Sequence, residues 1–253
     1  MAARRVACSA IAIVLLAAGA CSNGPTTPST TPPQTSPQLK RTKFMAFGDS
    51  VTAGEITIAA TGVTRQGFPN TRLIQVPEVS YPTVLTGLLA GRYSSQSQAI
   101  VVINQGFGAE KAEFALPRFR AALDADRPEV VLLMEGYNDV CCGNGEVGLR
   151  VMETGITAMA AEAKARGARV FIGNLAPATW GDRFINELQK DAANARLRDI
   201  ATSEGAYLVD IFGALLPDLA ANIGSDGMHP TELGYRRVAE VFFAAIQADL
   251  EIR

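Results

Sequence analysis

The sequence predicts an α/β protein in which a parallel sheet of about five strands lies between two helical layers, a three-layer α/β/α sandwich. Two observations carry this. From Leu39 onward, short and continuously apolar runs alternate with longer amphipathic ones, and strands that are apolar throughout are covered on both faces, as parallel strands are. The repeating order of strand, helix, strand then requires crossover connections, which are right-handed. With 253 residues the chain is long enough for one full-sized domain with a substantial core.

Taken in order, residues 1–20 read as a signal peptide. Arg4 and Arg5 give a positive start, and Val6 to Ala20 is almost wholly apolar. At about 1.5 Å per residue that run spans roughly 22 Å, short of a hydrocarbon core of about 30 Å, so a retained transmembrane helix is disfavoured. Ala18-Gly19-Ala20-Cys21 resembles the bacterial lipobox, which implies cleavage before Cys21 and lipid attachment to its sulfur, although leucine is preferred where Ala18 stands. An ordinary signal peptide cut in the same region is the second reading. Residues 21–40 form a tether rich in proline, threonine and serine, with no apolar side chains to bury over Ser22 to Gln38. Held extended by its prolines at about 3.1 Å per residue, it reaches roughly 50 Å. The folded domain is placed at 41–253, and the protein at the bacterial cell envelope as an anchored lipoprotein, or as a secreted or periplasmic protein.

Lys43 to Phe47 is the first predicted strand. Tyr81 to Leu89 is a helix with Val84, Leu85, Leu88 and Leu89 on one face. Between them, Ile56 to Ser80 holds Gly62, Gly67, Pro69, Asn70 and Pro77 and reads as a long irregular loop, either shaping the substrate site or disordered. Ala99 to Asn104 is a second strand, Ala109 to Ala125 a helix in spite of Pro117, and Glu129 to Met134 a third strand. A helix over Gly145 to Arg166 leads to strand Ala168 to Gly173, and a helix over Asp182 to Ser203 leads to strand Tyr207 to Asp210. The last helix runs from Thr231 to Leu250, with Val238, Val241, Phe242, Ala245 and Ile246 facing inward.

Composition excludes several functions. A net charge of -2 gives no electrostatic footprint for nucleic acid. The four cysteines, Cys8, Cys21, Cys141 and Cys142, lack C-x-x-C spacing, so a zinc site is not expected. Adjacent Cys141 and Cys142 either pair as a strained ring or stand as separate thiols, since neighbouring Cα atoms are about 3.8 Å apart and disulfides prefer about 4.4 to 6.8 Å. His229 is the one histidine of the chain, so any chemistry needing an imidazole must use it.

Four stretches sit just after predicted strands or just before the last helix, where open α/β sheets bind ligands. In Gly48-Asp49-Ser50-Val51-Thr52-Ala53-Gly54, an apolar strand ends in a turn that can present Ser50. The spacing is not the G-x-S-x-G elbow, because Thr52 stands where the second glycine would. Asn104-Gln105-Gly106-Phe107-Gly108 exposes backbone N–H groups to an anion, or is simply a tight connection. Gly136-Tyr137-Asn138-Asp139 offers the Asn138 amide, or is an Asx turn or helix cap. Asp226-Gly227-Met228-His229-Pro230 sets a carboxylate three residues before the imidazole, or is a solvated loop before a helix.

Together, and in this order, the blocks resemble the GDSL or SGNH hydrolase superfamily across Phe44 to Leu250. One position departs from the family pattern: the glycine three residues after Gly106 is Ala109 here, with Gly108 before it. The resemblance implies a flavodoxin-like sheet and hydrolysis of acyl esters with no metal and no organic cofactor. It leaves the substrate open among small-molecule, lipid and acylated-glycan esters. In the implied chemistry Ser50 is the nucleophile, His229 its base, and Asp226 holds the imidazole tautomer. The oxyanion is met by the N–H groups of Ser50 and Gly106 and by the Asn138 side chain, with Asp49 in support. Ser50 and His229 are both expected on surface loops.

Three other readings compete. An acyltransferase would pass the same acyl-enzyme to a sugar hydroxyl, and a lipid-anchored binding module would hold a glycan or acyl chain without turnover. Flavin binding would need no histidine and would colour the protein.

Overall fold

A computed structural model of the chain describes residues 36–252 apart from 66, 68 and 181–183. The expected signal peptide, Cys21 and most of the expected tether lie outside the described residues. At the start of the described chain, β1 (Gln38–Leu39) pairs antiparallel with β9 (Glu251–Ile252). Leu39 is buried and its N–H donates to Gln96 Oε1 at 2.7 Å. Gln38–Leu39 thus pack on the sheet-bearing part of the chain, ahead of residue 41, where Leu39 covers its apolar side chain.

The central sheet is parallel, in the order β5 (Val101–Gly106), β2 (Lys43–Gly48), β6 (Val130–Met134), β7 (Arg169–Gly173), β8 (Tyr207–Val209). This is the flavodoxin-like order, and the chain reverses direction across the sheet at β2, which lies between β5 and β6. The ends of these three strands are in register, with Gly48 opposite both Gly106 and Met134. The turns that leave the three strand ends are thereby brought to one crevice.

Alternate residues of the strands feed two cores. Met45, Phe47, Val131 and Leu133 pack with α3 (Ala112–Asp126), α5 (Glu146–Ala165) and α6 (Glu187–Glu204) on one face. Phe44, Ala46, Leu132 and Phe171 pack with α2 (Tyr81–Arg92) and α9 (Glu232–Leu250) on the other. Phe47 meets Phe119 edge to face with ring centres 4.8 Å apart, and Tyr81 stacks on Phe242 at 5.1 Å. The predicted strands and long helices are recovered with ends shifted by a few residues. The largest shift is α6, which starts at Glu187 rather than Asp182, where Asn186 caps the Gln189 N–H at 2.9 Å. Pro117 is accommodated inside α3.

The segment read as an irregular loop is mostly a hairpin. β3 (Glu55–Val63) pairs antiparallel with β4 (Pro69–Gln75), from Glu55 opposite Gln75 to Val63 opposite Pro69, with a register shift between Ala59 and Val63. Gly62, at φ 91°, lies in that irregular stretch, and Gly67, at φ 84°, in the connection. The glycines and prolines that suggest a loop thus punctuate a ribbon whose Ile, Thr, Val and Leu side chains favour extended chain. A short helix, α4 (Tyr137–Cys141), stands where a turn was expected, and α7 (Ile211–Leu215) and α8 (Leu219–Asn222) lead from β8 toward the His229 loop. Cys141 is half-buried and Cys142 exposed, with no disulfide between them, so the strained ring is not formed.

Candidate active site

Ser50 opens α1 (Ser50–Ala53), a single helical turn that begins where β2 ends. Asp49 caps it, its Oδ1 accepting from the Val51 N–H at 2.9 Å. Gly54, at φ 84°, closes it by returning its N–H to the carbonyls of Ser50 and Val51. The turn packs so closely on β5 that a Cβ at Gly106 would lie 2.1 Å from the Ala53 nitrogen. Gly106 is therefore required for backbone approach whatever else it does. Ser50 is 2% and His229 1% exposed. The expectation of surface loops is corrected here, because each is covered by the elements that converge on the crevice.

The structure joins Ser50, His229 and Asp226 in a hydrogen-bonded chain. His229 Nε2 stands 2.9 Å from Ser50 Oγ, and His229 Nδ1 stands 2.5 Å from Asp226 Oδ2. The other oxygen of Asp226 accepts from the N–H groups of Met228 at 3.1 Å and His229 at 3.0 Å. One carboxylate thus holds both the ring and the backbone that carries it. The loop is anchored behind, where the Gly224 N–H donates to the His229 carbonyl at 2.7 Å and Ile223 bridges Pro230. Burial pushes the Asp226 carboxyl up, but the hydrogen bond and charge of His229 and the two backbone N–H groups outweigh it and hold it below the usual carboxylate range.

On the opposite side of Ser50, buried Asn138 projects from α4. Its Nδ2 donates to the Glu110 carbonyl at 2.9 Å and reaches Asp49 Oδ2 at 3.4 Å. Asp49 thereby touches both Ser50's turn and Asn138. The Gly106 N–H, expected to face an oxyanion, donates at 2.9 Å to Asn104 Oδ1 in an Asx turn. The turn around Gly106 also differs from an all-glycine one, because Ala109 takes the left-handed conformation at φ 60°. Alanine occupies a backbone position suited to glycine, at a cost of about 1 kcal/mol.

The roles of four residues of this side escaped the sequence reading. Asp139 accepts the N–H groups of Ala112 at 2.8 Å and Glu113 at 3.1 Å, capping α3 and tying it to α4. Glu135 is buried just after β6, and among the described residues its Oε1 has no hydrogen-bond partner. Burial first, then the nearby carboxylates of Asp49 and Glu110, raise its pKa well above the usual range. A charged residue closing the run Val-Val-Leu-Leu-Met was the available signal. Glu110 and Arg118 form an ion pair and carried no signal, lying at ordinary polar positions. Beside α1 a small cleft is lined by Asp49, Val51, Met134, Glu135, Leu175 and Ala176. Among the described residues no group of three or more His, Cys, Asp or Glu side chains could hold a metal ion.

Comparison with known proteins places the chain in a family. Residues 46–237 match the GDSL-like Lipase/Acylhydrolase family. Esterase TesA of Pseudomonas aeruginosa is 25% identical over 190 residues, covering 72% of this chain and 90% of that protein. Among solved structures, the lipase/acylhydrolase from Enterococcus faecalis superposes with a TM-score of 0.66 at 18% identity, over 83% of this chain and 97% of that one. The acetylxylan esterase Axe2 from Geobacillus stearothermophilus gives a TM-score of 0.61 at 20% identity, over 81% and 94%. This chain belongs to the GDSL-like lipase/acylhydrolase family and is a hydrolase of its esterase and acylhydrolase kind.

Proposed function

We propose that the protein cleaves carboxylic esters through an acyl-enzyme on Ser50, with His229 and Asp226 completing a catalytic triad. The single observation that carries this reading is the chain Ser50 Oγ, His229 Nε2, His229 Nδ1, Asp226 Oδ2, with contacts of 2.9 and 2.5 Å. A serine hydroxyl is a weak nucleophile at neutral pH and needs such a base. As Ser50 Oγ bonds to the ester carbonyl carbon, its proton passes to His229 Nε2, and Asp226 stabilises the imidazolium. His229 then returns that proton to the departing alcohol. Water repeats the sequence on the acyl-enzyme, which frees the carboxylic acid and restores Ser50.

Charge on the carbonyl oxygen is met by the Ser50 N–H at the start of α1, by the Gly106 N–H and by the Asn138 amide. The first N–H groups of a helix have no partner within it, which suits Ser50 to the task. The Gly106 N–H shares itself between Asn104 Oδ1 and the oxyanion, a three-centre bond. The substrate is an ester of a small alcohol, a lipid or a glycan, and the similar proteins span esterase, lipase/acylhydrolase and acetylxylan esterase. Turnover of a 4-nitrophenyl acyl series by wild type and Ser50→Ala tests the reading. Activity should vanish in the variant, and wild-type activity there would refute it. Adding an alcohol to the assay separates hydrolysis from acyl transfer by the partition of products.

Export to the cell envelope, with a lipid on Cys21, belongs to the same proposal and rests on the sequence of residues 1–35. Expression of Cys21→Ser should move the protein from the membrane fraction to the soluble one, and equal membrane retention would count against lipidation.

A further inference from the structure

Beneath the Asn138 side of the crevice lies a guanidinium that the reaction scheme leaves unused. Arg118 stands in the middle of α3 and turns toward the ends of β2 and β5. Its Nη1 donates to the Gln105 carbonyl at 2.8 Å, and its Nη2 reaches the Gly48 carbonyl at 3.5 Å. Its Nε donates to Glu110 Oε1 at 2.8 Å, and Nη2 meets the other oxygen of the same carboxylate. The guanidinium carbon lies 3.9 Å from the centre of the Phe47 ring and 5.7 Å from that of Phe107. A planar fork held by two carboxylate oxygens and stacked on a core ring has little freedom to move.

Two of the groups it holds adjoin an oxyanion donor. The Gln105 carbonyl and the Gly106 N–H belong to one planar peptide unit, so a bond that fixes the carbonyl also fixes the direction of the N–H. Because that bond is charge-assisted, it polarises the peptide and strengthens the N–H as a donor. Glu110, gripped by its carboxylate, presents its own carbonyl to Asn138 Nδ2 at 2.9 Å. The Gly48 carbonyl, the third contact, precedes Asp49 and Ser50 and also accepts the Phe107 N–H at 2.9 Å. Lysine could not make this set of contacts, having one compact ammonium in place of a fork.

We propose that Arg118 is a positioning residue for the oxyanion site, aligning the Gly106 N–H through the Gln105 carbonyl and the Asn138 amide through Glu110. The inference rests on the esterase reading. Arg118→Met keeps an unbranched stem against Phe47 and removes every donor. Rates are counted per serine titrated by a phosphonate, so that loss of folded protein does not masquerade as loss of rate. With 4-nitrophenyl acetate, kcat should fall about 10- to 100-fold, the scale of a misplaced catalytic group, while KM stays nearly constant. Affinity for an alkylboronic acid, which forms a tetrahedral adduct on serine, should fall by the same factor.

Arg118→Lys should lie between Arg118→Met and wild type, and it carries the test alone if the methionine variant does not fold. Guanidinium ion should restore part of kcat to Arg118→Ala. Wild-type kcat per titrated serine and wild-type boronate affinity in a folded variant would overturn the proposal. So would a fall in melting temperature with both quantities unchanged. Ser50→Ala, assayed in parallel, separates the two claims. Activity surviving in Ser50→Ala refutes the esterase reading itself, whereas an inactive Ser50→Ala beside a fully active Arg118→Met removes only the role of Arg118.

Discussion

The two sides of Ser50 are built in different ways. On the His229 side, one short loop carries both the acid and the imidazole, and Asp226 satisfies itself on that loop's own N–H groups. On the Asn138 side, the proposed donors stand at or after the ends of β2, β5 and β6; Glu110 and Arg118, from α3 and its approach, hold them, and Asp139 of α4 ties that helix to the start of α3. The carboxyls of the two sides shift in opposite directions. Asp226 is held below the usual range by His229 and the backbone despite its burial, and Glu135 is pushed well above it by burial and neighbouring carboxylates. In the proposed mechanism a local device thus handles the proton, and a long-range one handles the developing charge. Substitutions on the first side should fail by chemistry, and those on the second by geometry and pH.

The largest effect is expected for His229→Ala. No other imidazole exists in the chain, so kcat should drop by about a million-fold, as when the base of a triad is removed. Asp226→Asn leaves the loop able to form but loses the anion opposite Nδ1. Steady-state kinetics should show about a 10⁴-fold loss in kcat. Asn138→Ala removes one donor from the other side, and kcat should fall about 10²- to 10³-fold with KM little changed, because the oxyanion exists only after attack.

Two smaller predictions concern stability on the Asn138 side. A carboxyl whose folded-state pKa is raised is favourable at low pH, and its contribution is lost as pH rises above the unfolded value. Glu135→Gln should therefore match wild type in melting temperature in acid and exceed it increasingly above the ordinary carboxylate range. Asp226 has the opposite sign, since its lowered pKa contributes stability at neutral pH that is lost on acidification through its folded-state value. Parallel melting curves of wild type and Glu135→Gln at every pH would mean that Glu135 is not a buried, raised carboxyl. The smallest effect is expected for Ala109→Gly, which relieves the left-handed alanine at φ 60°. Denaturant unfolding should show a gain of under about 1 kcal/mol, partly offset by the greater freedom of glycine in the unfolded chain.

The same division decides what the sequence made legible. The His229 loop is local, so three residues of text set Asp226 beside His229 and the family resemblance chose a triad over a solvated loop, while the parallel strands declared themselves as apolar runs. Ser50, Gly106 and Asn138 could be gathered because each follows a predicted strand and so falls along one edge of the sheet. Arg118 could not, since its contacts toward the site are carbonyls of β2 and β5, which leave no mark on the sequence, and its ion pair with Glu110 joins two ordinary polar positions. The β3–β4 hairpin was hidden for another reason. Its faces are only partly covered, and Val63 and Leu73 are exposed, so burial wrote no clean alternation there and the glycines dominated the reading. The burial of Ser50 and His229 was likewise invisible, because it results from how separate loops close over one another.

The central claim is that Ser50 is the nucleophile activated by His229. Treating the purified protein with a fluorophosphonate and mapping the modified peptide by mass spectrometry tests it directly. A single adduct on Ser50, formed rapidly in wild type and far more slowly in His229→Ala, is the predicted result. Stoichiometric modification at another residue, or equal labelling of Ser50 at equal rate in His229→Ala, would contradict the account.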